Sequence, residues 1–404
     1  MSEWKEYKLK DICLKITDGS HSSPKAQDKG YPMFSVKDML EFGFDYSKCK
    51  YISEEDFQKL KGSDCVPLKG DILVAKDGSY LKEIFVCRET KDEGILSSIA
   101  IFRPNTNLVT SDFLCYLLKT PFVYNYIANN CVSGSALPRI VLKDFKEISL
   151  SIPSLDIQNK IVNKLKPLDD KIEVNRRINE QLEELAGALF KSWFVDFEPF
   201  KDGEFVESEL GMIPEGWKVI SFKDFITPSS EKAFVGDLPE YSVTNNGILP
   251  RDEKFKKQLS KTTSKNKVLK KNNLVFGMSR EILNWGIMED FIGGVSSAYN
   301  VYIIDEKLIH PTYLRLYMKA KITYFNDLIG NAAREGQSLD KTALLNKIVY
   351  LPCKDIWEDF LSKYNTIKEK ISEGAKEITH LTNLRDTLLP KLMSGEIDVN
   401  EVEI

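Results

Sequence analysis

The chain has 404 residues, of which 42% are apolar and 29% are charged. It is therefore long enough for two or three domains with cores of their own, and too apolar to be disordered. The net charge of −4 argues against a uniformly basic nucleic-acid-binding protein, but it leaves room for a local basic surface. No long apolar run or signal-peptide-like N-terminus occurs, so the sequence predicts a cytoplasmic protein with no membrane segment.

Cysteine and histidine are placed in a way that disfavours metal or disulfide chemistry. The seven cysteines are scattered without a Cys-x-x-Cys pair, and the three histidines lie far apart along the chain. Zinc sites and small disulfide frameworks need closely paired residues. We therefore expect reduced thiols and no metal site.

Residues 1–152 mix short strand-like runs with turns, which predicts a first α/β domain. The apolar face of residues 112–127 predicts a helix, for which Ser111 is the expected N-cap. The predicted strands include 73–75, 99–102 and 148–152.

The segment 153–194 carries apolar residues in steps of three and four, which predicts one amphipathic helix about 50 Å long. Pro167 removes a backbone hydrogen bond and costs about 3 kcal/mol, so we expect a kink or break beside it. The apolar stripe consists of Ile157, Ile161, Leu165, Leu168, Ile172, Leu182, Leu185 and Leu189.

The same stripe returns in the segment 352–394. Ile356 follows Ile157 by 199 positions, as Leu388 follows Leu189. Two unrelated helices would share neither phase nor breaks over this length, so the sequence predicts an internal duplication. The second stripe consists of Ile356, Phe360, Tyr364, Ile367, Ile371, Leu381, Leu384 and Leu388.

The globular part is repeated as well, and residues 217–351 predict a second α/β domain. Its strand and helix landmarks repeat those of the first domain, whereas the residues between the landmarks do not. A polar linker is expected at 195–216, and Pro390 is expected to end the second helix. The acidic tail, 395–404, is expected to be mobile or bound to a partner.

Neither long helix can stand alone with an apolar stripe exposed, so we expect the two to pack antiparallel under a pseudo-two-fold axis. The predicted fold class is a duplicated α/β (α+β) protein, with two globular domains separated by an antiparallel two-helix coiled coil. A spacer of about 50 Å exceeds one DNA turn of about 34 Å, so it could hold two reading heads apart. The alternative is that the helices merely join the domains.

Motifs of catalysis are missing from the sequence. No Gly-x-x-x-x-Gly-Lys-Ser/Thr loop occurs, and no Gly-x-Gly-x-x-Gly follows a strand. No Asn-Pro-Pro-aromatic stretch of the adenine methyltransferase type occurs either. The sequence therefore predicts a non-catalytic chain.

Signals for nucleic-acid binding are stronger. Lysines crowd the stretch 254–271 among small polar residues, and no acid interrupts it. Lysines neutralise phosphates, and short polar side chains bond phosphates or base edges. A flexible solubilising loop is the alternative for this stretch. Its candidate contact residues are Lys256, Lys257, Lys261, Lys265 and Lys267.

Short polar loops supply further candidates, because Arg can read guanine and Gln can read adenine through paired hydrogen bonds. An ordinary surface loop is the alternative for each. The candidates of the first domain are Ser20, His21, Ser22, Lys25, Lys76, Ser79, Tyr80, Ser135 and Arg139. Those of the second domain are Ser279, Arg280, Arg334 and Gln337.

An ordered set of short motifs spans nearly the whole chain. The motifs are Leu-Lys-Asp-Ile (9–12), Lys-Gly-Asp-Ile-Leu (69–73), Leu-Pro-Arg-Ile (137–140), Leu-Phe-Lys-Ser-Trp-Phe (189–194), Ile-Pro-Glu-Gly-Trp (213–217) and Phe-Lys-Asp-Phe (222–225). Together they resemble the specificity subunit of type I restriction-modification systems. The chain departs from its own repeat at 338–341, where Ser-Leu-Asp-Lys replaces the Ala-Leu-Pro-Arg of 136–139.

The resemblance implies two target-recognition domains, each reading one half of a bipartite DNA site, with the helices acting as a ruler. It implies methyltransferase subunits, expected to be two, and restriction subunits as partners. It also implies no cofactor in this chain, with S-adenosylmethionine, ATP and Mg on the partners. The helical residues expected to bind partners are Ile157, Ile161, Leu168, Ile172, Leu182, Leu185, Leu189, Ile356, Phe360, Ile367, Ile371, Leu381 and Leu388.

Two other functions remain as alternatives at this point. A self-contained DNA methyltransferase or nuclease would bind S-adenosylmethionine or cleave DNA by itself. A helical adaptor joining two protein-binding domains would capture its partners without any salt-dependent affinity for DNA.

Overall fold

The structure is a computed structural model, and its residues form two compact units. The first unit comprises Met1–Asn179 and Ser372–Ile404, and the second comprises Glu180–Ile371. Each unit therefore holds one globular domain and a part of each long helix. The residues that the structure describes are 4–78, 80–134, 138–233, 238–251, 265–277, 282–329 and 339–402.

The first unit alternates short strands and helices. Its strands are β1 (Lys5–Lys8), β2 (Cys13–Asp18), β3 (Tyr31–Phe34), β4 (Met39–Leu40), β5 (Gly43–Phe44), β6 (Lys50–Ile52), β7 (Ile72–Ala75), β8 (Ile84–Val86), β9 (Gly94–Ile95), β10 (Ile99–Pro104), β11 (Val132–Ser133), β12 (Arg139–Ile140) and β13 (Ser149–Ile152). Its helices are α1 (Leu9–Ile12), α2 (Glu54–Gly62), α3 (Ser111–Leu118), α4 (Pro121–Asn130) and α5 (Leu142–Phe145), followed by the long α6 (Leu155–Phe194).

A four-stranded antiparallel sheet, ordered β2-β10-β7-β8, lies at the centre of this domain. The opening strand β1 pairs with the closing strand β13. A second sheet, ordered β6-β3-β9, carries the helix α2, and β4-β5 and β11-β12 form small pairs. The strands predicted at 73–75, 99–102 and 148–152 are confirmed as β7, β10 and β13.

The second unit repeats this plan. Its strands are β14 (Phe205–Ser208), β15 (Gly211–Pro214), β16 (Lys218–Ser221), β17 (Ile226–Ser229), β18 (Tyr241–Thr244), β19 (Gly247–Pro250), β20 (Lys267–Lys270), β21 (Leu274–Phe276), β22 (Trp285–Ile287), β23 (Ile292–Val295), β24 (Asn300–Ile304) and β25 (Ile348–Leu351). Its helices are α7 (Phe222–Phe225), α8 (Pro311–Ala320) and α9 (Lys341–Asn346), followed by the long α10 (Lys354–Ser394).

The central sheet of the second unit is ordered β17-β24-β21-β22, and its opening strand β16 pairs with its closing strand β25. Each of these strands holds the place that β2, β10, β7, β8, β1 and β13 hold in the first unit. The duplication and the duplicated α/β fold class are therefore confirmed.

One turn shows the duplication at the level of atoms. The residue two positions before the buried strand has a left-handed backbone in both copies, with φ of 90° at Gly70 and 66° at Asn272. The next side chain accepts a hydrogen bond from the backbone N–H three residues earlier, at 2.8 Å for Asp71 and 2.9 Å for Asn273. The same turn is thus made with a carboxylate in one copy and an amide in the other.

The single helix predicted over 112–127 is wrong, because the chain makes two helices there, α3 and α4. Pro121 has no N–H to continue the first helix and occupies the first turn of the second. The predicted cap is also wrong, since Thr110 accepts from the N–H of the third helical residue. Ser111 instead donates its hydroxyl to the carbonyl of Gly70, at 2.7 Å.

The long helices α6 and α10 contain 40 and 41 residues and run unbroken through Pro167 and Pro390. Of the kink or break predicted at Pro167, the break is wrong, and the helix end predicted at Pro390 is wrong as well. A proline inside a helix costs about 3 kcal/mol. Burial of neighbouring leucines offsets that cost, since Leu165 is 0% exposed and Leu389 and Leu392 are 7% and 1% exposed in the same core.

Within the first unit the two helices run antiparallel. The amide of Asn175 donates to a carboxylate oxygen of Glu377 at 2.7 Å, while Asn179 lies beside Gly374. A Cβ at position 374 would stand 2.5 Å from the amide oxygen of Asn179, so glycine permits this close approach.

Within the second unit the same two helices are also antiparallel. Lys368 donates to Glu183 at 3.0 Å. Farther along α6, Phe190 and Phe194 pack on Phe360, which lies earlier in α10 than Lys368. None of the helices that the structure describes is long and apolar enough to cross a membrane.

Two segments expected to be irregular are part of the folded units. The predicted linker 195–216 contains a 3₁₀ turn, Glu198–Phe200, and the β14-β15 hairpin, because Phe197 and Phe200 pack on the second core. The predicted mobile tail turns back onto the first core. Val399 and Val402 are only 5% and 8% exposed there, so the apolar residues among the acids determine its position.

A network of charged side chains ties the first domain to both long helices of its own unit. Arg385 of α10 lies 2.7 Å from Asp169 of α6 and 2.5 Å from Glu41, which stands between β4 and β5. Tyr116 donates to the second oxygen of Asp169 at 2.7 Å, and Arg176 lies 2.7 Å from the second oxygen of Glu41. Both carboxylates are thereby paired at both oxygens.

Burial by itself would raise the pKa of Glu41, but the hydrogen bonds and charges of Arg385 and Arg176 outweigh it and lower the pKa. A carboxylate whose pKa is lower in the folded state contributes stability at pH values above its unfolded pKa. That contribution is lost as the pH falls through the folded pKa.

We predict that Arg385→Ala destabilises the protein by about 3 kcal/mol at pH 7, because two largely buried carboxylates lose their shared cation. The loss of stability caused by Arg385→Ala should become smaller as the pH falls through the lowered pKa of Glu41. Thermal unfolding followed by circular dichroism, over a series from pH 7 to about pH 3, measures both effects. Arg177→Ala is the matched control, because that side chain is 71% exposed, and equal melting temperatures for the two variants would contradict the prediction.

Candidate nucleic-acid interface

Three polar loops that are far apart in sequence meet at one edge of the first central sheet. One follows β2, the second follows β7, and the third leads into β12. The first two are joined by an ion pair, in which Lys76 lies 2.5 Å from Asp18. The last two are joined by a backbone bridge between Asp77 and Arg139. The structure thus brings together loops that the sequence suggested one at a time.

The first loop leaves the sheet through a glycine that no other residue could replace without rearrangement. The N–H of Gly19 donates to the carbonyl of Ile99 at 3.0 Å. A Cβ on Gly19 would stand 2.4 Å from the carbonyl oxygen of Ile95. Beyond it, the hydroxyl of Ser20 donates to the carbonyl of Ser22 at 2.9 Å and closes a turn.

Lys76 belongs to the framework of this edge rather than to its surface. Its side chain is 11% exposed and its ammonium group is held by Asp18, which His21 also approaches to 3.3 Å. The sequence suggested Lys76 as a contact to DNA, but its charge is already neutralised inside the protein. Asp18 is a site residue that sequence analysis missed, since its partner is 58 positions away.

The second and third loops are fixed to each other by backbone hydrogen bonds. The N–H of Gly78 donates to the carbonyl of Pro138 at 2.8 Å, and the N–H of Ile140 donates to the carbonyl of Lys76 at 3.0 Å. Arg139 lies between these bonds, and its side chain is 62% exposed. The guanidinium therefore projects from a rigid base.

A cleft of about 400 Å³ opens beside Asp77. Lys37 and Lys82 bring positive charge to its walls, and Ser98 and Glu83 add polar groups. Asp77 and Glu83 balance these two lysines, and Lys82 lies 3.1 Å from Glu83, so the cleft has no excess of positive charge. The exposed guanidinium of Arg139 is a cation of this edge that can reach the phosphates or bases of a nucleic acid.

The other predicted residues of this edge differ in how accessible they are. His21, Ser22 and Lys25 are exposed, whereas Ser20 is half-buried. Tyr80 is half-buried against the core and stacks on Tyr124, with ring centroids 5.9 Å apart. The exposed residues can reach a ligand directly, and the aromatic pair fixes Tyr80 of the second loop against α4.

Fewer of the predicted residues of the second unit can be placed. Lys265 is exposed, but Lys267 begins β20 and donates its ammonium group to the carbonyl of Tyr299 at 2.5 Å. Burial and, to a smaller extent, the charge of Lys341 lower the pKa of Lys267. The predicted residues that lie outside the described part of the chain are Ser79, Ser135, Lys256, Lys257, Lys261, Ser279, Arg280, Arg334 and Gln337.

The helical stripe expected to bind partners is largely used for packing within the chain. Ile161, Leu168, Ile172 and Phe360 are at most 4% exposed. The half-buried members of the stripe are Ile157, Leu182, Leu189, Ile356, Ile367, Ile371, Leu381 and Leu388. Leu185 is the one exposed residue of the predicted set, with an exposed fraction of 52%.

Two further apolar residues of α6, Val174 and Ile178, are 48% and 45% exposed. They lie outside the predicted stripe, and an apolar residue on a mainly polar helix face is the signal that could have found them.

Comparison with known proteins finds a matching domain model and similar full-length chains. Residues 1–184 match the model of the type I restriction modification DNA specificity domain. The chain is 27% identical to the type I restriction enzyme MjaIX specificity subunit of Methanocaldococcus jannaschii, over 99% of this chain and 95% of that protein. It is 29% identical to the HindI specificity subunit of Haemophilus influenzae, over 98% of this chain and all of that protein.

A solved structure has the same fold. The type I restriction-modification S subunit of M. genitalium aligns with a TM-score of 0.55 and 14% identity, covering 97% of this chain and 96% of that one. Residues 1–184 therefore match a DNA specificity domain, and the chain is similar over nearly its whole length to specificity subunits of type I restriction enzymes.

We predict that Lys76→Ala lowers the free energy of unfolding by about 2 kcal/mol, because Asp18 then lacks its charged hydrogen-bond donor. Lys25→Ala removes the same charge from an exposed position nearby, and we expect a change within about 0.5 kcal/mol. Urea unfolding of both variants measures the difference. Equal stabilities would show that the Lys76 ion pair does not hold the loops.

Proposed function

We propose that this chain is the non-catalytic DNA sequence-specificity subunit of a type I restriction-modification complex, and that each globular domain reads one half of a bipartite site. The repeated sheet with non-repeated loops carries the proposal. The loops after β2 and β7 correspond to the segments after β17 and β21, and their residues differ in type and spacing. One scaffold that carries two loop sets suits the reading of two different sequences.

The proposed contacts divide into two kinds. Exposed lysines such as Lys25 and Lys265 neutralise phosphates and hold the domain on the duplex without choosing a sequence. Exposed side chains with paired donors, such as Arg139, read base edges in the major groove. The net charge of −4 is compatible with this division, because lysines are concentrated in the stretch 254–271, which no acid interrupts.

The long helices set the separation of the two reading heads in this proposal. They also bind the partners, which are two methyltransferase subunits and the restriction subunits. The complex acts in the cytoplasm. The exposed apolar residues Val174, Ile178 and Leu185 are the better docking candidates, because the other members of the predicted stripe are buried or half-buried by packing within the chain. S-adenosylmethionine, ATP and Mg bind to the partner subunits, and this chain binds no cofactor in the proposal.

We predict that cells expressing this chain with its methyltransferase partner gain one new methylated motif. The motif consists of two short half-sites separated by a fixed unread gap, because two domains on one helical spacer read two places at once. Methylome sequencing measures it.

The control for this experiment is the same methyltransferase expressed with a different specificity subunit. An active methyltransferase that gains no motif from this chain would contradict the specificity role and favour a helical adaptor that joins protein-binding domains.

We also predict that Lys265→Ala weakens binding of the methyltransferase complex to all duplexes by a similar factor. The slope of log affinity against log salt should fall by about one, as expected for one lost phosphate contact. Fluorescence anisotropy over a salt series measures both quantities. Lys370→Ala is the matched control, since this exposed lysine of the same unit lies on α10. An equal loss in both variants would contradict the predicted contact.

A further inference from the structure

Asp77 holds a buried carboxylate that the fold leaves incompletely paired. The residue is 9% exposed, and its Oδ1 atom has no hydrogen-bond partner among the residues that the structure describes. Its other oxygen lies 3.7 Å from Nε of Arg139, which is too far for a hydrogen bond. Buried acceptors without a partner are rare in native proteins, and each one calls for an explanation.

Two other acids of the same sheet are hydrogen-bonded to their cations, so the missing bond is particular to Asp77. Asp71 receives two hydrogen bonds of 2.8 Å from Arg103 and a third from a backbone N–H. Asp18 holds Lys76 at 2.5 Å. Asp77 alone among these three acids faces a cation that is close but not bonded.

The backbone fixes the distance between Asp77 and Arg139, whereas the guanidinium can still move. Hydrogen bonds on both sides of Arg139 hold its main chain against the Lys76–Gly78 segment. The side chain itself is 62% exposed and needs to shift by less than 1 Å to bond the carboxylate. The Asp77 carboxylate is therefore left unpaired by the position of the Arg139 side chain, while the backbone around both residues is hydrogen-bonded.

Arg139 faces Asp77 with its Nε atom, and this leaves its terminal nitrogens available to bind a base. An Arg that is held at Nε by a carboxylate keeps its two terminal nitrogens free, and these two donors match the O6 and N7 acceptors of guanine. A carboxylate behind the guanidinium also fixes its plane, so less side-chain entropy is lost when the base binds.

We propose that Arg139 reads the guanine of one base pair in the first half-site and that Asp77 is the positioning residue that orients it. This inference rests on the proposed function of the chain. When DNA is bound, the guanidinium closes onto the carboxylate and both groups become fully paired. Asp77 therefore contributes to discrimination at the position that Arg139 reads, although it touches no base itself.

A phosphate contact by Arg139 is the competing arrangement, and it makes a different prediction. Loss of a phosphate contact weakens binding to every sequence alike, whereas loss of a base contact changes the preference at one position. The pattern of preferences across the half-site therefore separates the two.

The test uses the full chain in complex with its methyltransferase partner. Methylation rates are measured on duplex libraries in which each base pair of the wild-type motif is varied in turn. The variants are Asp77→Asn, Arg139→Lys and Arg139→Ala, and Lys25→Ala is the control on the neighbouring loop. The second half-site acts as an internal check that the complex is folded and active.

We expect Asp77→Asn and Arg139→Lys to relax the preference at the same single G·C position, by about tenfold or more. Preferences elsewhere in the motif and the gap length should not change. Lys25→Ala should lower all rates alike without altering any preference. Relaxation by the two variants at one shared position is a result that a merely structural role for Asp77 would not produce.

Three results would overturn the inference. Uniform loss of rate in Arg139→Ala would assign Arg139 to a phosphate, and unchanged preferences in Asp77→Asn would remove its positioning role. Relaxation of different positions by the Asp77 and Arg139 variants would separate the two residues. A wild-type complex without any sequence preference would instead contradict the proposed function, so the two failures are distinguishable.

Discussion

The two long helices impose the constraint on which the rest of the chain depends. A helix of 40 residues with a continuous apolar stripe must bury that stripe, and neither helix can do so alone. Each unit solves the problem by pairing a part of α6 with a part of α10 and capping the pair with a globular domain. Segments about 200 positions apart are thereby built into the same core, which explains why the domain and its helix were duplicated together.

Both units pack apolar residues of the long helices into the core of their domain, and the first unit adds an ion-pair network. In the first, Arg385 lies between two carboxylates. The residue that precedes it by 199 positions is Ala186, which is 2% exposed beside the aromatic cluster of Phe190, Phe194 and Phe360. Ion pairs respond to acid and salt, whereas aromatic packing does not. The attachment of the first domain is therefore the more sensitive of the two to solution conditions.

The edge proposed to read DNA combines a rigid base with replaceable tips. The Asp18–Lys76 ion pair and the hydrogen bonds around Arg139 hold three loops together from within. Exposed residues such as Lys25 can then change without loss of the fold, because they contribute little to the core. This division explains how a duplicated scaffold can keep its sheet order while its loops diverge, and hence how two halves of one chain can differ in specificity.

The sequence by itself determined the duplication, the central strands such as β7 and β10, and the two long helices, because apolar periodicity is a local property that a repeat offset makes unmistakable. It also identified the loops that carry Lys25 and Arg139. Tertiary structure decided that both helices pass through Pro167 and Pro390, since burial against distant segments offsets the local cost of proline. It likewise decided that Lys76 is an internal partner of Asp18 and that Asp77 stands behind Arg139. Pairings of that kind join residues about 60 positions apart, and only the folded chain brings their charges together.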